Sequence, residues 1–238
     1  MKFGITQTFS CSYLPEQHEQ LLVYAERDKD QATRYGQLIQ AGFRRSGDQI
    51  YRPHCPSCNA CQSLRIAVNQ FVPSRSQTRI LKRNTRLRSE LVLTPKEEYY
   101  ALYERYIGER HADGTMFPPS HKQYESFILC HWKRPVFIEA WKEDTLVAVA
   151  VTDDISDGCN HTAMSALYTF YAPELEKNSI GTWMILQQIA HAKQLGRQYL
   201  YLGYQIEGCN KMNYKGRFLP NERFIENKWR KIDKNLAY

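Results

Sequence analysis

The chain has 238 residues, of which 42% are hydrophobic and 24% are charged, proportions that are typical of a soluble globular protein. No apolar run approaches the roughly 18 residues that a membrane-spanning helix needs, and the first residues lack the apolar core of a signal peptide. We therefore expect a cytosolic protein, whose seven cysteines favour reduced thiols or a metal site over a disulfide framework.

The formal net charge of +7 belongs entirely to the first part of the chain. Residues 1–95 contain 14 Lys and Arg against 7 Asp and Glu, whereas residues 96–238 contain 18 of each. A basic excess on one part of a chain is typical of proteins that bind a polyanion. The alternative is a basic surface that contacts only solvent.

A helix followed by a hairpin is predicted early in the chain. Residues 30–41 are expected to form the helix, and Gly42 is suited to its C-cap because glycine tolerates the left-handed conformation. Two short strands at residues 43–45 and 50–52 flank the loop SGDQ, which is a hairpin signal.

Two adjacent arginines lie on the first strand of this hairpin. Because side chains alternate along a strand, Arg44 and Arg45 are predicted to face opposite sides. A guanidinium can hold a carboxylate through two parallel hydrogen bonds, so the pair predicts recognition of a small acidic group. Alternatively, the arginines pair with an acid inside the protein. Arg52 and Arg65 are the next candidates for the same role.

Three evenly spaced cysteines follow the hairpin. Cys55, Cys58 and Cys61 form a C-x-x-C-x-x-C motif, and Cys11 supplies a fourth thiol. Four thiols are enough for tetrahedral zinc or an iron–sulfur cluster, and the alternative is a small group of buried thiols. We expect any metal here to be structural, with no part in the chemistry.

A one-sided basic helix is predicted after Pro73, where Ser74 is suited to cap the first turn. Residues 74–91 contain six basic residues and no acid before Glu90. At about 100° per residue, four of the basic side chains share one narrow sector of this helix: Arg75, Arg79, Lys82 and Arg86. Such a stripe fits a phosphate backbone better than scattered charges do. Pro73 also predicts a boundary, so we divide the chain near residue 72.

The second part of the chain is predicted to mix helices and strands. Helices are expected over residues 97–110, 121–132 and 180–194, and strands over residues 136–141, 146–152, 162–171 and 198–203. The last strand, helix and strand predict a right-handed crossover and a parallel pair. A ligand then binds at the carboxyl ends of these strands, near Tyr171 and Tyr204. The predicted class is α/β (α+β), with a smaller cysteine-containing domain at the N terminus.

This arrangement resembles the acyltransferase fold of the Gcn5-related family. Coenzyme-A-dependent members have a glycine-rich turn at the helix start, where backbone N–H groups bind a pyrophosphate. Here residues 177–183 are KNSIGTW, with one glycine and the bulky Trp183, which disfavours coenzyme A as acyl donor. An RNA-binding module with a zinc knuckle is a further alternative, and the long α/β half with balanced charge argues against it.

Motifs along nearly the whole chain carry a closer resemblance. They are CSYLP at 11–15, GFRRSG at 42–47, YRP at 51–53, PSRSQ at 73–77, ERH at 109–111, GTMFPP at 114–119, AVAVTD at 148–153, YTFY at 168–171, YLGYQI at 201–206 and MNYK at 212–215. With these motifs the chain resembles the bacterial aspartate/glutamate leucyltransferases, which are related to eukaryotic arginyl-tRNA–protein transferases.

The resemblance implies an aminoacyltransferase that moves leucine from leucyl-tRNA to the N-terminal amino group of proteins beginning with Asp or Glu. The product is a degradation signal in the N-end rule pathway, and arginine from arginyl-tRNA is the alternative donor. The expected partners are charged tRNA and proteins or peptides with N-terminal Asp or Glu. We expect no membrane partner and a monomeric protein, although the sequence does not define the oligomeric state.

Roles for particular residues follow from this resemblance. We expect residues 1–72 to recognise the acceptor and residues 73–238 to form the transferase domain. Tyr204 is expected to orient the ester, Lys215 to contact the terminal tRNA phosphate, and Asp113 to accept a proton from the attacking amine. The residues expected to bind the acceptor are Arg44, Arg45 and Arg65. Those expected to bind the tRNA are Arg75, Arg79, Lys82 and Arg86. No cofactor is required for the chemistry.

The resemblance also bears on the thiols. In the eukaryotic relatives the first motif is Cys-x-x-Cys and its cysteines look like ligands of a zinc or iron–sulfur site, whereas Leu14 replaces the second cysteine here. Cys58 or Cys61 can substitute for it, so the expected ligands are Cys11, Cys55, Cys58 and Cys61.

Overall fold

A computed structural model describes residues 1–26, 29–114 and 116–233. The helices are α1 (Gln31–Leu38), α2 (Arg75–Arg83), α3 (Glu98–Arg110), α4 (His121–Ile128) and α5 (Ile180–Gln194), with 3-10 turns at Ile39–Ala41, Pro173–Asn178 and Asn213–Arg217. The strands are β1 (Phe3–Ile5), β2 (Phe9–Ser10), β3 (His18–Glu19), β4 (Leu21–Tyr24), β5 (Arg44–Ser46), β6 (Gln49–Pro53), β7 (Gln62–Ala67), β8 (Leu87–Val92), β9 (Val136–Lys142), β10 (Thr145–Ser156), β11 (Thr162–Tyr171), β12 (Tyr199–Gln205), β13 (Asn221–Ile225) and β14 (Lys228–Ile232).

Eight strands form one large sheet, in the order β14-β13-β7-β12-β11-β10-β9-β8. Strands β11 and β12 are parallel, and α5 connects them, so the predicted crossover is confirmed. A second sheet has the order β1-β4-β6-β5, and β2 pairs with β3. Within the described ranges, no helix combines the length and apolar character needed to cross a membrane.

Strand β7 joins the two parts of the chain. It precedes the boundary predicted near residue 72, yet it pairs with β12 and β13 in the large sheet. Its alternate side chains Leu64 and Ile66 are fully buried in the main core with residues of α3 and α5. The boundary therefore does not separate two sheets, and the division into an acceptor-recognition and a transferase domain stays a prediction.

Helix α1 and the following hairpin form as the sequence predicts, with Gly42 in the left-handed conformation at φ 82°. The hairpin turn is shorter than predicted, because Ser46 pairs with Gln49 and leaves only two residues in the loop. Phe43 is buried beside α1 in a second core, which also includes Tyr201 of the large sheet. The hairpin is thus packed against β12.

The basic helix is also shorter than predicted. It begins with a full capping box between Ser74 and Gln77 and ends at Arg83. Asn84 ends it because its side-chain amide donates to the carbonyl oxygens of Ile80 and Asn178, both at 3.0 Å. Arg86 therefore lies in the turn before β8, which corrects its assignment to the helical stripe.

A buried ion pair fixes the hairpin to the large sheet. The Arg45 guanidinium donates from Nε to Asp153 Oδ2 at 2.7 Å and from Nη2 to Asp153 Oδ1 at 2.6 Å. Its Nη1 donates to the carbonyl oxygen of Gly47 at 3.0 Å, and both charged side chains are 0% exposed. Because each charge has its partner, the pair is satisfied without water.

We predict that Asp153→Ala lowers the free energy of unfolding by about 3–5 kcal/mol, because it leaves the Arg45 charge buried and unpaired. The adjacent Asp154 makes the same bidentate contact with Arg197 at the surface, so Asp154→Ala should cost about 1 kcal/mol or less. Urea unfolding of both variants measures the difference, and equal costs would contradict this account.

Candidate active site

The carboxyl ends of the two parallel strands separate from each other. The ladder between β11 and β12 runs from Ala163 and Tyr199 to Ser165 and Tyr201, while β11 continues to Tyr171 and β12 to Gln205. Beyond this ladder the two strands are not paired with each other, and this end of the strands is here called the β11–β12 opening. The start of α5 lies beside it, because a Cβ at Gly181 would lie 3.6 Å from the ring of Tyr171. This is the edge of the sheet at which the topology predicts a ligand.

Arg44 lies at this opening as a half-buried cation that has no counter-ion among the described residues. Its Cζ lies 5.7 Å from the centre of the Tyr204 ring. Among the residues that the structure describes, Arg44 forms no ion pair, and its buried Nε donates no hydrogen bond. The groups that act on it electrostatically are the tyrosines at 51, 204, 13 and 35. Since buried charges are normally paired, this guanidinium is suited to an anionic ligand.

The other two arginines predicted to bind the acceptor have partners inside the protein. Arg45 donates two hydrogen bonds to Asp153 and one to the backbone of Gly47. Arg65 donates to Glu222 at 2.7 Å, and its Cζ lies 3.9 Å and 4.2 Å from the ring centres of Tyr199 and Trp229. The prediction that Arg45 and Arg65 bind the acceptor is therefore corrected, because neither guanidinium is free.

Lys215 is a buried amine rather than a surface cation. Its Nζ donates to the carbonyl oxygen of Tyr204 at 2.8 Å and to the sulfur of Met212 at 3.4 Å. Burial, and then the charge of Arg44, lower its pKa to about 7. The expected contact with a tRNA phosphate is corrected by this burial, and a partly neutral amine at neutral pH is able to accept a proton.

Tyr204 uses its hydroxyl inside the protein. The hydroxyl lies 3.2 Å from the carbonyl oxygen of Gly42 and 3.3 Å from that of Tyr51, and burial raises its pKa well above the usual value. Since one hydroxyl has one proton to donate, it is committed to the hairpin backbone. This corrects its predicted role in orienting the ester, while its ring still lies under Arg44.

Asp113 and His111 follow the end of α3. Asp113 is exposed, and its predicted role in accepting a proton from the attacking amine stays a prediction. The ring Nε2 of His111 lies 3.1 Å from the hydroxyl of Tyr106. Burial, then Lys211, lower the His111 pKa, so the ring is neutral and able to accept a proton at neutral pH.

Helix α2 presents its basic side chains to solvent next to the β11–β12 opening. Arg75, Arg79 and Lys82 are exposed, as is Arg86 in the turn beyond the helix. The buried Gln77 lies 3.4 Å from the carbonyl oxygen of Arg217, close in the chain to Lys215. At the other end of α2, Asn84 donates to Asn178, just before α5. Both ends of the basic helix are thus tied to segments that border the opening.

The four predicted metal ligands lie together in the first part of the chain. The side chains of Cys11, Cys55, Cys58 and Cys61 line a cavity of about 440 Å³. Burial, and then the other three thiols, raise the pKa of Cys61 to about 12, so it is a protonated thiol at neutral pH. Metal ligands are thiolates, and within the described residues no three Cys, His, Asp or Glu side chains form a metal-binding group. The zinc or iron–sulfur site with these four cysteines as ligands stays a prediction.

Lys215 predicts a specific pH dependence of stability. Its folded-state pKa of about 7 lies below the unfolded value of about 10.4, so between these values the unfolded chain binds more protons and stability rises with pH. The wild type should gain stability relative to Lys215→Met by up to about 1.4 kcal/mol per pH unit above about pH 7.

Urea unfolding from about pH 7 to about pH 9.5 measures this gain. Lys211→Met is the matched control, because Lys211 is exposed and its ammonium contacts water in both states. A stability difference that is constant with pH for both variants would contradict the assignment.

Sequence comparisons match this chain to one family over almost its whole length. The family model for the N terminus of arginine-tRNA-protein transferases matches residues 9–79, and the model for the C terminus matches residues 98–225. An aspartate/glutamate leucyltransferase of Pseudoalteromonas atlantica is 53% identical over 98% of this chain and 99% of its own. Those of Aeromonas salmonicida and Shewanella oneidensis are 50% and 46% identical, over 98% and 95% of this chain and 96% and 92% of theirs.

Solved structures show the fold. The C-terminal domain of a protein assigned as a lysylphosphatidylglycerol synthetase from Agrobacterium fabrum superposes with a TM-score of 0.50, at 12% identity, over 84% of this chain and 65% of that chain. The predicted mixed α/β class is confirmed, and the likeness to the Gcn5-related acyltransferase fold stays a prediction. The chain belongs to the aspartate/glutamate leucyltransferases, a family of aminoacyl-tRNA–protein transferases.

Proposed function

We propose that this chain transfers leucine from leucyl-tRNA to the α-amino group of proteins that begin with Asp or Glu. The relatives that carry this name support the donor and the acceptor. The observation that carries the proposal is the half-buried Arg44 side chain, whose buried Nε has no hydrogen-bond partner and whose charge has no counter-ion among the described residues at the β11–β12 opening. The acidic side chain of the acceptor supplies that counter-ion.

The reaction is the aminolysis of an ester. The acceptor amine attacks the carbonyl carbon of the leucyl ester, a peptide bond forms, and the bond to the tRNA ribose oxygen breaks. The departing ribose oxygen takes up one proton. No covalent enzyme intermediate is needed, because the ester is already activated and the protein has to align the two substrates.

The attacking amine must first lose a proton. An N-terminal α-amino group has a pKa of about 8, so most of it is protonated at neutral pH. His111 and Lys215 are two groups near the opening whose lowered pKa values leave a proton-accepting form available at that pH. Binding of the acceptor carboxylate by Arg44 keeps the amine in reach of the ester.

The tRNA is proposed to bind along α2. Its exposed cations face solvent at the helix whose two ends border the opening, so a tRNA body held there directs its aminoacyl end to the carboxyl ends of β11 and β12. We expect the reaction in the cytoplasm, where charged tRNA is found, and expect its product to enter the N-end rule pathway.

A mass measurement tests the proposed reaction. The protein is incubated with an Asp-initiated peptide and, in separate reactions, with leucyl-tRNA, arginyl-tRNA or acetyl-CoA. We expect the mass gain of one leucyl residue with leucyl-tRNA alone. If arginyl-tRNA gives product at an equal or higher rate, leucine is not the preferred donor. If acetyl-CoA gives product, the protein is not an aminoacyl-tRNA–dependent transferase.

We predict that removing cations from the basic helix weakens the binding of tRNA and leaves the binding of the acceptor unchanged. Replacing Arg75, Arg79 and Lys82 by Ala should raise KM for leucyl-tRNA and flatten its salt dependence, because fewer phosphate counter-ions are released. KM for the acceptor peptide should be unchanged. The control removes three exposed cations of β14, at Lys228, Arg230 and Lys231, and should leave both KM values unchanged. If the two triple variants raise KM for leucyl-tRNA equally, tRNA binding depends on the net charge of the protein and not on the position of α2.

Arg44 predicts the preference for acidic acceptors. Discrimination of Asp over Asn in kcat/KM should reach about a hundredfold, since a neutral side chain leaves the half-buried guanidinium unpaired. Arg44→Ala should remove most of this ratio, and Arg44→Lys should restore little of it because an ammonium lacks the planar fork.

The matched control is Arg52→Ala, in the neighbouring strand, whose guanidinium donates to the carbonyl oxygen of Ala41. It should keep the ratio. If Arg44→Ala keeps the full preference for Asp over Asn, or if Arg52→Ala loses it, Arg44 is not the residue that recognises the acceptor carboxylate.

A further inference from the structure

Strand β12 contains a bulge immediately before Tyr204. Its register against β7 shifts between Tyr201 and Gly203, so one extra residue is accommodated at Leu202. Gly203 has φ +79°, the left-handed conformation that glycine adopts without strain. A glycine within a strand is a typical sign of a bulge or a close approach, although the sequence-based prediction gave Gly203 no role.

The missing side chain of Gly203 leaves space that Arg44 occupies. A Cβ at this position would lie 2.6 Å from Nη1 and 3.2 Å from Cζ of Arg44. Real Cβ atoms do not approach other heavy atoms this closely, so a side chain at 203 requires the guanidinium to move. The guanidinium therefore lies directly against the backbone of β12.

Most buried arginines are held in place by an acid, as Arg45 is held by Asp153. Arg44 has no such partner among the described residues, and its neighbours include the ring of Tyr204 and the backbone at Gly203. An acid would fix the guanidinium but would also neutralise it. The close approach at Gly203 fixes it by shape and leaves its charge available.

We propose that Gly203 is a positioning residue for acceptor selection: the absence of a side chain there lets the Arg44 guanidinium lie against β12, where it binds the carboxylate of the acceptor's first residue. This inference rests on the proposed role of Arg44. It goes further in assigning the specificity of the site partly to a backbone position on a strand of the large sheet.

A matched glycine separates the effect of space from the effect of backbone strain. Gly196 also has a left-handed conformation, at φ +65°, but a Cβ there would meet no atom within 4 Å. Gly203→Ala and Gly196→Ala therefore both introduce alanine at positive φ, and only Gly203→Ala displaces Arg44.

The test measures kcat/KM for peptides beginning with Asp and with Asn, using leucyl-tRNA as donor. Gly203→Ala should lower the Asp-to-Asn ratio by about tenfold or more, because the displaced guanidinium no longer aligns with the carboxylate. Gly196→Ala should keep the wild-type ratio. In an Arg44→Ala background, Gly203→Ala should change the ratio no further.

An unchanged ratio in Gly203→Ala, or an equal loss in Gly196→Ala, would overturn the role of Gly203. If Arg44→Ala itself keeps the full ratio, the proposed role of Arg44 fails instead, so the two failures are distinguishable. If Gly203→Ala does not fold, Gly203→Asn and Gly196→Asn take its place, because asparagine tolerates positive φ better than alanine.

Discussion

The buried ion pair between Arg45 and Asp153 determines where the hairpin lies, and the hairpin determines where Arg44 lies. Adjacent residues of a strand face opposite sides, so fixing Arg45 against β10 necessarily directs Arg44 to the other face, towards Tyr204. The same chemical group is thus used twice. One guanidinium is neutralised to hold the structure together, and its neighbour keeps its charge for a ligand.

In the proposed function, the large sheet brings the two substrates to one edge. Its parallel strands separate beyond Ser165 and Tyr201, and the ends of the basic helix α2 are tied by Gln77 and Asn84 to the segments that border the separation. The hairpin approaches from the other side through Tyr204 and Gly203. A polyanionic donor and an acidic acceptor can therefore bind to separate cations while their reacting groups meet between them.

Local sequence signals predicted the elements well where the signal lies within one element. The bounds of β11 and α5 agree with the prediction, because their apolar runs and flanking residues are local. Ser74 and Gln77 likewise form the predicted helix cap, since only three residues separate them. The alternation that sets Arg44 apart from Arg45 is equally local.

The partners of the site residues were not predictable in the same way. Asp153 is 108 residues from Arg45, and Glu222 is 157 residues from Arg65, so nothing in the local pattern shows that these arginines are neutralised. The hydroxyl of Tyr204 is bound by backbone carbonyls, which the sequence does not distinguish. Gly203 is important because a side chain there would collide with Arg44, and the two residues are close to each other only in the folded chain.

A crystal structure with an Asp-initiated peptide bound would show most directly which cation binds the side-chain carboxylate of the acceptor. We expect the side-chain carboxylate of the peptide to accept hydrogen bonds from Arg44, while Arg45 stays paired with Asp153. A carboxylate bound by Arg52 or by another cation, with Arg44 making no contact to the peptide, would contradict it.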